Sequence, residues 1–404
     1  MTFVQLRRLS LAVAGLAAAF TLSACTAAPG QAWPGLNLDD QRAYLASGTH
    51  LFAVNLSDGK EAWRWPPRDE NIGGDIFLAD PGVSADVIVA GSEGPLSTHS
   101  GVVFGLDPAN GEMRWCVVFD ERALTRTRGA GLQCTATPDA TRGAFGEWFM
   151  PAVDNRLVGG ITVHEGVAYF GMANNNVYAL NAETGAHLWT FSGSQHPVWA
   201  APLVVGDRLI VTSFDHNIYA LDRATGQLSN GSWTRDLGAA IAGTPALQDD
   251  RLYVGNFGNN MYALNIADGE PVWDAPFQSS YWIWDGPALS DDSLYFSDLN
   301  GTIYSVDAET GAQNWAVKPG GFLRASPAVH ADSLYIGDNT GLLLSLDAAT
   351  GAERWRLTVR GQLQATPRIA ANQGLVLFAP YQGDNTLIAV PFAGGAMRWV
   401  FTPQ

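Results

Sequence analysis

The stretch Asp307-Ala308-Glu309-Thr310-Gly311-Ala312-Gln313-Asn314-Trp315 returns 40 residues later as Asp347-Ala348-Ala349-Thr350-Gly351-Ala352-Glu353-Arg354-Trp355. Asn181 to Trp189 keeps the Thr, Gly and Trp at the same spacing and puts Asn where the first Asp stands. Before each copy lies an apolar run centred on a small residue, as in Ile303-Tyr304-Ser305-Val306 and Val177-Tyr178-Ala179-Leu180. Looser copies join Met261–Asn265 to Gly269 and Trp273, Phe52–Asn55 to Gly59 and Trp63, and Phe104–Asp107 to Gly111 and Trp115. Ile218–Asp222 with Gly226 has its tryptophan three places late, at Trp233. Leu387–Val390 with Gly395 and Trp399 has Pro391 where the Asp belongs. The pattern therefore occurs eight times.

Each copy reads as a β-hairpin. The run before Asp alternates its side chains, as a strand with two unlike faces does. Asp or Asn bonds its own backbone two residues on and starts a turn. Glycine takes the positive φ that the turn needs, and tryptophan opens the next strand as a large apolar plate.

About twenty residues ahead of each copy is a proline signature: Ala201-Pro202-Leu203, Thr244-Pro245-Ala246, Gly286-Pro287-Ala288, Ser326-Pro327-Ala328 and Thr366-Pro367. A polar turn and a second apolar run follow it. Each period thus holds four short strands, and the glycines from Gly185 onward are spaced 41, 43, 42, 40 and 44 residues apart. Four strands in about forty residues make one propeller blade, so the chain is expected to be all-β, an eight-bladed β-propeller. Pro34 and Trp399 put both ends of the ring on a blade boundary. Closure then relies on docking of whole blades.

Asp-x-x-Thr-Gly-x-x-x-Trp resembles the tryptophan docking motif of quinoprotein (PQQ-like) propellers, and the resemblance covers residues 33–404. It implies that Trp63, Trp115, Trp189, Trp273, Trp315, Trp355 and Trp399 wedge between blades. Size, blade number and the Ala-Leu-Asn/Asp repeats are similar to the BamB family of propeller lipoproteins, which serve outer-membrane barrel assembly. That family uses a Leu- and Arg-containing segment before the innermost strand of its fourth blade. Gln195-His196-Pro197-Val198-Trp199 stands there instead, and a Leu-Arg pair occurs as Leu323-Arg324 in blade seven.

The leader supports the same resemblance. Arg7 and Arg8 precede the apolar run Leu9–Leu22, too short to span a bilayer and right for a signal peptide. Leu22-Ser23-Ala24-Cys25 resembles a lipobox. Residues 1–24 are expected to be removed, Cys25 to carry lipid, and 25–32 to be a linker. With Arg7 and Arg8 gone, 21 basic and 39 acidic residues leave a net charge of −18, which repels nucleic acid.

Two intervals are long: 52 residues from Gly59 to Gly111, and 74 from Gly111 to Gly185. The second places an insertion near 120–158 that carries Arg122, Arg126, Arg128, Cys134 and Trp148-Phe149-Met150. In an oxidising compartment the pair Cys116 and Cys134 suggests one disulfide. Just before several proline signatures come Trp199, Tyr281-Trp282-Ile283-Trp284-Asp285 and Phe322-Leu323-Arg324. Trp199, Trp282, Trp284, Asp285 and Arg324 are candidate partner-binding residues at the channel mouth; the competing reading has these rings plugging the channel as core.

No metal-ligand spacing, nucleophile elbow or phosphate loop is present. The expected function is a non-catalytic, monomeric, membrane-tethered scaffold in the periplasm or at the cell surface. It would use no cofactor or metal and would bind other envelope proteins, in outer-membrane protein assembly as the BamB resemblance implies. The alternatives are a PQQ-dependent dehydrogenase and a carbohydrate- or peptide-binding propeller.

Overall fold

A computed structural model describes residues 34–404 apart from 69, 71, 73, 95–99, 121–122, 124–126, 129–131, 142–153 and 230, and at 138–141 the backbone alone. These residues form eight blades spanning 35–65, 82–141, 162–191, 203–236, 246–278, 288–317, 328–358 and 368–401. Within a blade the first four strands follow one another as an antiparallel meander. First strands pack against first strands of neighbouring blades, blade eight against blade one included, and so line the axis.

The small residue of the repeat has a steric cause. Ala53, Gly105, Ala179, Ala220, Ser305, Ser345 and Ala389 each pair directly with the tryptophan of the fourth strand. A Cβ on Gly105 would lie 2.1 Å from the Trp115 ring. Just ahead of the tryptophan, blades one, two, three, six and seven carry a bulge, which bends the strand and re-aims its side chain.

The turns show why Asp and Thr recur. Asp307 Oδ1 accepts from the Thr310 N–H and hydroxyl, both at 2.7 Å, and the Gly311 N–H closes on the Asp307 carbonyl. Asp347, Asn181 and Asp222 repeat the arrangement. Gly311 and Gly351 sit at φ +75° and +71°, and their bare Cα faces are covered by Trp273 and Trp315 of the preceding blade. Eight indole N–H groups then donate across the blade junctions. Trp63 reaches Pro108, Trp115 Ala182, Trp189 Arg223 and Trp233 Ile266; Trp273 reaches Ala308, Trp315 Ala348, Trp355 Phe392 and Trp399 Leu56.

Two particulars differ from the sequence expectation. Trp233 docks like the other seven, despite its delay, because the extra residues lie in the turn before its strand. In the last blade Gly394, not Gly395, meets the tryptophan: the turn closes from the Gly394 N–H to the Pro391 carbonyl, one residue tighter than the others.

Among the described residues no strand is shared across the seam. Trp399 covers Gly59, Phe401 meets Phe52 at 5.4 Å, and Arg368 bonds the Leu36 carbonyl and Asp80. Blade two gains a fifth strand, Thr135–Thr141, parallel to Met113–Asp120 on the outer edge. It is stapled by a disulfide between Cys116 and Cys134, with Cα atoms 4.7 Å apart.

Candidate functional site

At one end of the ring the chain enters each first strand beside the hairpin joining strands two and three. The two are laced by one repeated bond. Phe214 N–H donates to the Pro197 carbonyl, Phe257 to Ala240, Leu299 to Trp282 and Asn339 to Phe322, at 2.9–3.1 Å. This lacing holds the residue three places before each proline at the mouth of the axis: Leu78, Trp199, Ala242, Trp284, Arg324 and Gln364, with Val158 in the corresponding place of blade three. They surround an axial cavity of about 120 Å³ with Asp80, Thr244, Asp285 and Thr366.

Four of the five candidate residues therefore meet at this cavity, and Trp282 lies on the rim outside it. Trp282 stacks on Phe257 at 5.2 Å, nearly parallel, and on Tyr281 at 5.5 Å. Trp284 also stacks on Phe257, at 5.1 Å, and the Arg324 guanidinium stands 4.8 Å from its ring centre. Phe257 meets Phe214, which meets Trp199 at 4.6 Å. The rings form one crescent over blades four to six, and Phe322, 61% exposed, continues it onto blade seven. Tyr281 is 45% exposed.

Asp285 is a strut. Its carboxylate accepts from the Gly286 and Ser326 N–H groups and from the Thr366 hydroxyl at 2.6 Å, tying blades six to eight. Asp80 accepts from the Leu36 N–H and pairs with Arg368 at 2.6 Å; burial pushes its carboxyl up and Arg368 opposes the rise. Burial pulls the Arg324 guanidinium below its ordinary range. Leu323 is core, 2% exposed, so the Leu-Arg pair of blade seven offers only its arginine to the mouth.

Phe214 and Phe257 were not anticipated. Each is the second residue after its second strand, in Ser213-Phe214-Asp215 and Asn256-Phe257-Gly258, a position that reads as an ordinary loop. Cys25, Arg122, Arg126 and Trp148-Phe149-Met150 lie outside the described residues. Among the described residues no three His, Cys, Asp or Glu gather as metal ligands would.

Fold and face together define a class: a closed propeller, locked by docked tryptophans, with an aromatic rim at one end of its axis. The chain matches the family described as outer membrane protein assembly factor BamB over residues 99–281, 230–321 and 299–404, and it belongs to that family. It is 26% identical over 212 residues to the outer membrane protein assembly factor BamB of Moranella endobia, a match covering 52% of this chain and 46% of that protein. The match thus spans about half the length of that relative. Among solved structures it is similar in fold to BamB from Moraxella catarrhalis, with a TM-score of 0.63 and 17% identity over 88% of this chain and 92% of that one. It is also similar to the computationally designed Ika8 protein, with a TM-score of 0.66 and 12% identity over 89% and 96% of the two chains.

Proposed function

We propose that this chain is a non-catalytic scaffold of the cell envelope that binds other envelope proteins in outer-membrane protein assembly. The observation that carries the reading is the crescent of Trp199, Phe214, Phe257, Tyr281, Trp282 and Phe322 on a propeller of the BamB family. Partially exposed Trp, Tyr and Arg are what binding hot spots are made of. The acidic Asp-x-x-Thr-Gly turns sit at the opposite end of the blades, so docking on the crescent desolvates few charges. Residues 1–24 act as a leader, Cys25 takes lipid, and 25–32 tether the propeller of 33–404 and its insertion near 120–158. Among the described residues no helix is long and apolar enough to cross a membrane.

Capture from detergent extract with protein identification tests the reading. The parent should retain barrel-assembly proteins. The triple variant Tyr281→Ala, Trp282→Ala, Phe322→Ala should lose them at nearly unchanged melting temperature, because the exposed ring area carries little folding energy. Undiminished capture by the triple variant would remove the crescent from the partner site.

A further inference from the structure

The hairpin between the second and third strands of blade six reads Asp298-Leu299-Asn300-Gly301-Thr302. Three of these residues answer to the fold. Asp298 is fully buried, and its carboxylate accepts from the Ser280 and Tyr304 hydroxyls and from the Thr302 N–H. Leu299 N–H laces the hairpin to the Trp282 carbonyl. Gly301 turns the chain at φ +91°, and a Cβ there would stand 2.2 Å from the Gly321 carbonyl oxygen. The side chains of the other two have no such use. Asn300 is exposed at the tip, and neither its amide nor the Thr302 hydroxyl bonds another group among the described residues.

Blade seven builds the same turn without them. In Asp338-Asn339-Thr340-Gly341-Leu342 the carboxylate again takes the N–H four residues on, and the glycine N–H again closes on the Asp carbonyl. Thr340 stands in the place of Asn300 and bonds Asp338, and Leu342 stands in the place of Thr302. This turn therefore asks for an aspartate and a glycine, but not for the Asn amide or for the hydroxyl two residues later. An Asn-x-Thr run in an exposed turn of an exported chain is the acceptor pattern for N-linked glycans. The pattern occurs at two other places. In Asn55-Leu56-Ser57 the fold already uses the residues: Asn55 is the half-buried turn residue of blade one, and the carbonyl of buried Leu56 accepts from the Trp399 indole. In Asn230-Gly231-Ser232 the asparagine lies outside the described residues.

We propose that Asn300 is an N-glycosylation site, its amide receiving an oligosaccharide from a lipid-linked diphosphate donor. The proposal rests on the reading of residues 1–24 as an export leader, because transfer takes place outside the cytoplasm. Asn300 Nδ2 bonds the anomeric carbon, the bond from that carbon to the diphosphate oxygen breaks, and its electron pair leaves with the lipid diphosphate. Nδ2 gives up one proton, and nothing is oxidised or reduced. Thr302 supplies the hydroxyl that the acceptor pattern requires two residues on. The modified tip follows the residue laced to Trp282, so the glycan stands beside the crescent.

The full-length protein is purified from the membranes of its own host and digested. Mass spectrometry then reads the peptide holding Asn300 and the N-terminal peptide from the same sample. The leader should be gone, and the first peptide should carry saccharide mass. Enzymatic release in heavy-oxygen water should leave a labelled aspartate at that position. The peptide holding Asn55 should be bare. Asn300→Gln and Thr302→Val should lose the modification entirely, and Thr302→Ser should keep it. All three variants should melt with the parent, since they change partly or fully exposed side chains that make no bond. A processed chain that is bare at position 300 overturns the site and leaves the export reading standing. A chain that keeps residues 1–24 overturns the export reading, and the site with it. Glycan that persists in folded Thr302→Val, or that sits only on another asparagine, also overturns the assignment.

Discussion

Replacing Trp399 with alanine perturbs the one junction where the ends of the chain meet. The indole is 9% exposed, covers Gly59, and donates at 2.9 Å to the Leu56 carbonyl of blade one. Cutting a large buried aromatic to alanine costs about 3–5 kcal/mol, and the orphaned carbonyl belongs within that range. Unfolding entropy is about 2.1 cal/mol/K per residue, roughly 0.8 kcal/mol/K for a propeller of this length. The loss therefore corresponds to about 5 °C in melting temperature, read by calorimetry or near-ultraviolet circular dichroism. Trp399→Phe keeps most of the apolar cover and should lose only about 1 kcal/mol with the hydrogen bond. Gly59→Ala should also destabilise, since its φ is +71° and its Cβ would stand 2.7 Å from the indole. A melting temperature unchanged in Trp399→Ala would refute closure by docked tryptophan.

An unreduced digest should yield peptides holding Cys116 and Cys134 joined; replacing both with serine should cost roughly 3 kcal/mol for a loop of this length, and free alkylation of both in native protein would contradict the bond. Burial pushes the Glu93 carboxyl up to about 7, Arg156 opposing and Asp154 adding to the rise, from an ordinary 4.5. Between those values the folded protein keeps a proton that the unfolded chain has released, so stability should fall as pH rises through that window. Glu93→Gln should recover up to about 3 kcal/mol above the window and nothing below it, at about 1.4 kcal/mol per unit; equal melting curves for parent and variant at high pH would contradict this. Cys25→Ala should release the protein from membranes or leave it unprocessed, and a mature, membrane-bound variant would defeat the lipid assignment.

The repeat was legible because its chemistry is local. Asp, Thr and Gly close a turn within five residues, and the small residue before them faces the tryptophan directly across the strand pair. What escaped depends on more distant partners. The docking set drawn from the family pattern omitted Trp233, because three extra residues hide its spacing while the junction tests only where the indole arrives. Gly394 took the place expected of Gly395 because Pro391 cannot form the Asp turn. The fifth strand of blade two has no alternating pattern and contains Pro138, which sequence reading takes for a loop; an outer edge tolerates proline. At the site, four of the five candidate residues could be gathered from their offset before the proline signature. Phe214 and Phe257, which bridge them, belong to hairpins whose loop sequence carries no sign of what it faces.

Position-specific crosslinking tests most directly whether the crescent is the face that holds a partner. A photoreactive residue is placed in living cells at Tyr281 on the rim, and separately at Lys60 on the acidic turns of the opposite end, where the side chain is 79% exposed. Irradiation should give a discrete adduct with a barrel-assembly protein from position 281 and none from position 60. Adducts from position 60 with none from position 281 would contradict the assignment.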